Sequence, residues 1–130
     1  MASIREQGYE GRVEIVAADG GSTDGTLNIL KKYNCQIVEE KSNSPETAKA
    51  MALRRAQGKL ILLMASDNVL PEKSWLKTMI DSLLKEPEAV GAYPRRYAYR
   101  KSGTSLNRYF ALMGANDPVA WFMGKADRQS

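Results

Sequence analysis

The chain of 130 residues contains no histidine and one cysteine, Cys35. A single cysteine excludes a disulfide framework, and the missing histidines exclude Cys/His zinc sites. Ser-His and Cys-His nucleophilic chemistry is excluded for the same reason, as is a histidine general base. Long apolar runs are also missing. The longest, Leu60 to Ala65, falls far short of the ~18–20 residues that a membrane-spanning helix requires. Met1 to Glu10 is polar and holds no apolar stretch of signal-peptide length. A reducing, cytoplasmic setting is the expectation. Any chemistry here has to rest on carboxylates, a metal ion or backbone dipoles.

What is present is a chain of one-domain length, 43% hydrophobic and 26% charged, with a formal net charge of +4. The positive charge is local. No acid occurs between Glu88 and Asp117, whereas Arg95, Arg96, Arg100, Lys101 and Arg108 all fall there. Removing those five from the net +4 leaves the rest of the chain at −1. No internal repeat, low-complexity segment or linker is visible, so residues 1–130 read as one α/β unit.

The hydrophobic period alternates along the chain. Val13 to Ala18 reads as a strand broken by Gly20-Gly21, and Thr23 to Tyr33 as a helix. Gln36 to Glu39 reads as a short strand. Ser44 then offers an N-cap and Pro45 a first helical residue for a helix that Gly58 ends. Leu60 to Met64 is continuously apolar and bounded by polar residues, which predicts a strand buried on both faces. A helix is expected from Pro71, closed by Pro87, with Trp75, Leu76, Met79, Ile80, Leu83 and Leu84 at helical spacing. Ala89 to Tyr99 reads as extended, and Thr104 to Met113 as a short helix. Alternating strands and helices predict a three-layer α/β/α arrangement around a mainly parallel sheet.

Ligands of open α/β sheets bind beyond the carboxyl ends of the strands. Two segments fall there. In Ala18 to Thr26, glycines allow close backbone approach, a helix N-terminus follows, and Asp19 offers a carboxylate to a base or ribose. The plainer alternative is a strand-to-helix turn in which Thr23 and Asp24 act only as caps. In Ala65-Ser66-Asp67-Asn68, a carboxylate and an amide suit Mg²⁺ or Mn²⁺ held against a diphosphate. Here the plainer alternative is that Asp67 caps the next helix.

Three blocks in register resemble the family 2 glycosyltransferases, with their GT-A, nucleotide-diphospho-sugar-transferase fold. EIVAADGGSTDGT (Glu14 to Thr26) is similar to the family's strand ending in Asp-x-Gly-Ser-x-Asp-Gly-Thr. SPETAKAMALRRAQGKLILLMASDN (Ser44 to Asn68) resembles its Ala-Arg-Asn helix and the strand into Asp-x-Asp. VLPEKSWLKTMIDSL (Val69 to Leu83) resembles the segment that follows. The resemblance is firm over 14–84 and thin afterwards.

The resemblance implies that Asp19 reads the nucleotide base, with Gly21 and Ser22 completing the donor-binding loop. It places Lys49 where the family usually has an arginine near base and phosphates, and Asp67 as the metal ligand. A UDP-, GDP- or dTDP-linked donor, a saccharide or lipid-phosphate acceptor and inversion at the anomeric carbon are implied as well. Ala65 stands in place of the first acid of Asp-x-Asp, and Ala50 in place of the Asn of Ala-Arg-Asn. Both departures point to weakened metal binding or to a docking module of the same fold. The family opens with a further strand and usually draws its general base from a later Glu-Asp pair. Neither is present, so the resemblance implies a GT-A domain incomplete at both ends, with no catalytic base assigned.

Tyr97, Tyr99 and Tyr109 interleave with the arginines of 93–109. That stretch suits an anionic acceptor, a membrane surface or a solvated amphipathic strand; nucleic acid is the least favoured partner. Trp121, Phe122 and Met123 are expected to be covered by a neighbour, a second copy included.

Overall fold

In the computed structural model, residues 1–42, 44–94 and 101–113 are described. The chain divides into two compact units, Met1–Leu70 and Pro71–Ser130.

The first unit holds helix α1 (Ala2–Arg5), strand β1 (Val16–Asp19), helix α2 (Thr26–Lys32), strand β2 (Gln36–Glu39) and helix α3 (Pro45–Arg55). β1 and β2 pair in parallel, with Val16 opposite Gln36 and Asp19 opposite Glu39. Main-chain bonds from Gln36 N to Ile15 O (2.8 Å) and from Glu40 N to Asp19 O (2.9 Å) extend the ladder at its two ends. Parallel pairing requires a crossover, which α2 supplies. α2 begins three residues later than the period predicts because the preceding loop curls. Gly25, its N-cap, has φ +87°, and Gly21 has φ +100°, both in the left-handed region that glycine reaches without strain. The helix ends at Tyr33, followed by Asn34 at φ 54°, a residue type that tolerates this region.

α3 matches its sequence signals. Ser44 takes an extended conformation and its Oγ accepts from Thr47 N at 3.2 Å, while Pro45 occupies the first turn, where its missing N–H costs nothing. α3 packs chiefly on β1 and secondarily on β2.

The segment Leu60 to Met64 departs from expectation. It forms no strand, and Leu60, Ile61, Leu62 and Leu63 are 42–61% exposed rather than buried. A strand is stabilised only by a neighbour that completes its ladder, and among the described residues the sheet consists of β1 and β2 alone. The apolar run carries the composition of a strand without a partner to pair with. The core of this unit is correspondingly thin: Leu30 and Leu70 are its buried apolar side chains among the described residues.

The second unit contains α4 (Trp75–Leu84) and α5 (Ser105–Met113). α4 starts four residues after Pro71, with Ser74 as N-cap. Thr78 Oγ1 and Ser82 Oγ donate back to the carbonyls four residues earlier, Ser74 O (3.0 Å) and Thr78 O (2.7 Å). Lys77 and Asp81 pair one turn apart on its exposed side. α5 is capped by Thr104, whose Oγ1 accepts from Asn107 N at 3.2 Å. Leu76 and Ala111 are the buried apolar residues here. Residues 89–94 form no regular strand. The rest of the expected extended stretch, with Arg95, Arg96, Tyr97 and Tyr99, lies outside the described residues, as do Arg100, Asp117 and the Trp121–Met123 tail.

Candidate donor-binding site

Asp19 ends β1 at the carboxyl edge of the sheet and is 7% exposed. Its Oδ2 accepts from Gly21 N and Ser22 N, both at 2.9 Å, and its Oδ1 from Ser22 Oγ at 2.6 Å. The turn that achieves this needs Gly21's positive φ. Three donors converge on one carboxylate and favour its charged form. The Ser22 hydroxyl contributes most, then the amides of Ser22 and Gly21, and together they hold the Asp19 carboxyl below its ordinary value. Asp19, Gly21 and Ser22 are therefore assembled as a single cluster.

This geometry changes one expectation. The amides of Gly21 and Ser22 point at Asp19 and are not free for a phosphate. Further on, Asp24 Oδ1 accepts from Thr26 N (3.2 Å) and Thr26 Oγ1 (2.7 Å), a local turn across the Gly25 N-cap of α2 that lowers the Asp24 carboxyl as well. Asp24 thus serves the strand-to-helix turn, one residue ahead of the N-cap. Asp19 differs in being buried at a strand end with acceptor capacity left: a carboxylate offers about four lone-pair sites and three are taken.

Lys49 lies midway along α3, exposed, on the helix that packs against β1. Asp67 sits in an exposed turn closed by Asn68 N to Ala65 O at 3.1 Å. No hydrogen bond or ion pair joins either residue to the Asp19 cluster among the described residues. Nor do those residues include a group of three or more His, Cys, Asp or Glu side chains placed to share a metal ion. Among the described residues, then, no cage of protein ligands alone fits a metal. Asp67 offers a single exposed carboxylate, of the oxygen-donor type that hard cations take.

Two acids escaped the sequence reading. Glu40, one residue past β2, is 4% exposed, and its Oε1 accepts from Ser42 N at 2.6 Å and from the Ser42 hydroxyl. Its local context, Glu39-Glu40-Lys41, reads as a charged surface turn. Only the ladder bond to Asp19 O, which carries the chain inward, marks the second acid as buried. Glu14 lies ahead of β1, and its Oε1 accepts from Gln57 N (2.5 Å) and Gly58 N (2.7 Å), tethering the end of α3 across 43 residues of sequence. Gly58 leaves room there, since a Cβ would crowd Leu60 O at 3.2 Å.

The first unit is thus a parallel α/β unit with a clamped acid at a strand end and a capped helix beside it. The comparisons narrow this class. The model of the family described as glycosyl transferase family 2 matches residues 1–125, and the chain belongs to that family, whose fold is of the GT-A type. It is 32% identical over 115 residues to an N-acetylglucosaminyltransferase of Azorhizobium caulinodans, covering 83% of this chain and 28% of that protein. It is 31% identical over 67 residues to the poly(ribitol-phosphate) beta-N-acetylglucosaminyltransferase TarS of Staphylococcus aureus, covering 47% of this chain and 12% of that one. The chain thus spans well under a third of the length of the curated relatives it matches. No solved structure matches it.

Proposed function

We propose that this chain is the donor-binding core of a glycosyltransferase that moves a sugar from a nucleoside diphosphate to an acceptor hydroxyl. The observation that carries the reading is the Asp19 carboxylate, fixed by Gly21 and Ser22 at the carboxyl edge of a parallel sheet in a family 2 chain. Held charged and oriented, Asp19 accepts from the N–H groups of a nucleotide base, and the Gly21–Ser22 turn keeps it aimed. Lys49 faces the negative charge of the diphosphate. Asp67 takes one position on a Mn²⁺ or Mg²⁺ that arrives with that diphosphate. When bound, the cation neutralises charge on the leaving group.

In the reaction, the acceptor oxygen bonds to the anomeric carbon as the bond from that carbon to the diphosphate oxygen breaks. The acceptor proton passes to a carboxylate base, and the configuration inverts. The names of both relatives favour an N-acetylglucosaminyl group as the sugar.

The test is thermal shift. UDP, GDP or dTDP with Mn²⁺ should raise the melting temperature of the first unit, by an amount set by ligand concentration over Kd. Asp19→Asn should weaken the shift, and Asp67→Ala should abolish its metal-dependent part. Absence of a shift with every nucleotide overturns the proposal and favours a second reading, a docking module of the same fold. The exposed Asp67 beside Ala65 is the observation in favour of that alternative.

A further inference from the structure

The opposite end of the sheet carries a second candidate site. β1 and β2 are parallel, so their amino ends lie together, and four strand residues span roughly 13 Å between that edge and Asp19. There the segment leading into β1 and the one leading into β2 enclose an open, polar cavity of about 250 Å³. Arg5, Arg12, Glu14, Asn34, Cys35 and Gln36 contribute to its walls. Such a volume is below the ~300–1,000 Å³ of pockets for drug-sized ligands, so it suits a small molecule and not a whole nucleotide.

The charges of the cavity are unequal. Its one acid, Glu14, is satisfied by Gln57 N, Gly58 N and the Gln36 side-chain amide at 3.3 Å. Its two cations keep donors in reserve. Arg5 bridges the walls, donating from Nη1 to Val13 O (3.4 Å) and from Nη2 to Tyr33 O (2.6 Å). A guanidinium has five N–H donors, so donors remain on Arg5. Arg12 makes no hydrogen bond or ion pair among the described residues. Asn34 holds a left-handed turn that carries the β2 wall around the cavity. Two arginines line a small polar space whose acid already has its hydrogen-bond partners, and a guanidinium fork matches the oxygens of a phosphate-type oxyanion.

We propose that this cavity binds a small phosphate-class anion, with Arg12 as its principal ligand and Arg5 as the second. The site is separate from Asp19, and it does not depend on the function proposed above. Both guanidinium groups are solvent-exposed, so binding is weak and sensitive to salt.

Cys35 lines the cavity and is the chain's only thiol, which makes it a reporter. The full chain is labelled with N-ethylmaleimide, a neutral reagent, at matched ionic strength in chloride, inorganic phosphate or pyrophosphate. Saturating phosphate or pyrophosphate should slow labelling by about threefold or more relative to chloride, as expected for a ligand that occupies the thiol's own cavity. Arg12→Ala, which removes no hydrogen bond or ion pair among the described residues, should cancel the protection, and circular dichroism checks that the fold persists. Asp19→Asn should leave the protection intact, whatever it does to nucleotide binding. Equal labelling in chloride and phosphate overturns the proposal. So does protection that survives Arg12→Ala or is lost in Asp19→Asn.

Discussion

Asp19 is the residue at which stability and proposed function meet. Its carboxyl is held below the ordinary 3.8, first by the Ser22 hydroxyl and then by two amides. A depressed acid stabilises the folded state at pH values above its unfolded value, and that contribution is lost as pH falls through the folded value. The stability difference between wild type and Asp19→Asn should therefore be full at neutral pH, shrink below about pH 4 and vanish in stronger acid. Urea titrations at stepped pH measure it, and a pH-independent difference would mean that the ionised form of Asp19 is not what the loop clamps. Asp19 was legible in the sequence because acid, glycine and serine stand within four residues of one another. Glu40 and Glu14 were not. Glu40's burial depends on a ladder bond to Asp19, and Glu14's partners are the amides of Gln57 and Gly58, far along the chain.

At the scale of the element, local signals succeeded and lateral ones failed. β2 runs over Gln36–Glu39 as read, and α3 begins at Pro45 behind a serine cap, because those choices are made by a few adjacent residues. α2 began late, since the left-handed conformation of Gly25 belongs to the loop that serves Asp19. Leu60 to Met64 failed altogether as a strand. Its composition is right, but strand formation is decided by a neighbour at hydrogen-bonding distance, which no period along a single segment encodes. The α3 cap gives a quantitative check. Ser44→Ala leaves Thr47 N to water and should cost about 1 kcal/mol, while Ser44→Asp should recover most of it. Chemical denaturation reads both. A loss near zero would show that α3 is held by its packing on β1 and not by its cap.

For the molecule as a whole, the division at Leu70 and Pro71 has an optical consequence. Both tryptophans, Trp75 and Trp121, belong to the second unit, whereas Asp19, Lys49, Asp67 and Cys35 belong to the first. Tryptophan emission therefore probes from within residues 71–130, Cys35 accessibility from within residues 1–70, and far-ultraviolet circular dichroism reads both. Each unit has its own buried residues, Leu30 and Leu70 in one and Leu76 and Ala111 in the other, so each should carry its own transition. Coincidence of probes is the test of two-state behaviour, and here the probes should separate. Nucleotide with Mn²⁺ should then shift the Cys35 transition and leave the tryptophan transition in place, because a ligand stabilises only the cooperative unit that binds it. If both transitions coincide and move together, the 130 residues unfold as a single cooperative domain, and binding at Asp19 stabilises α4 and α5 as well as the sheet.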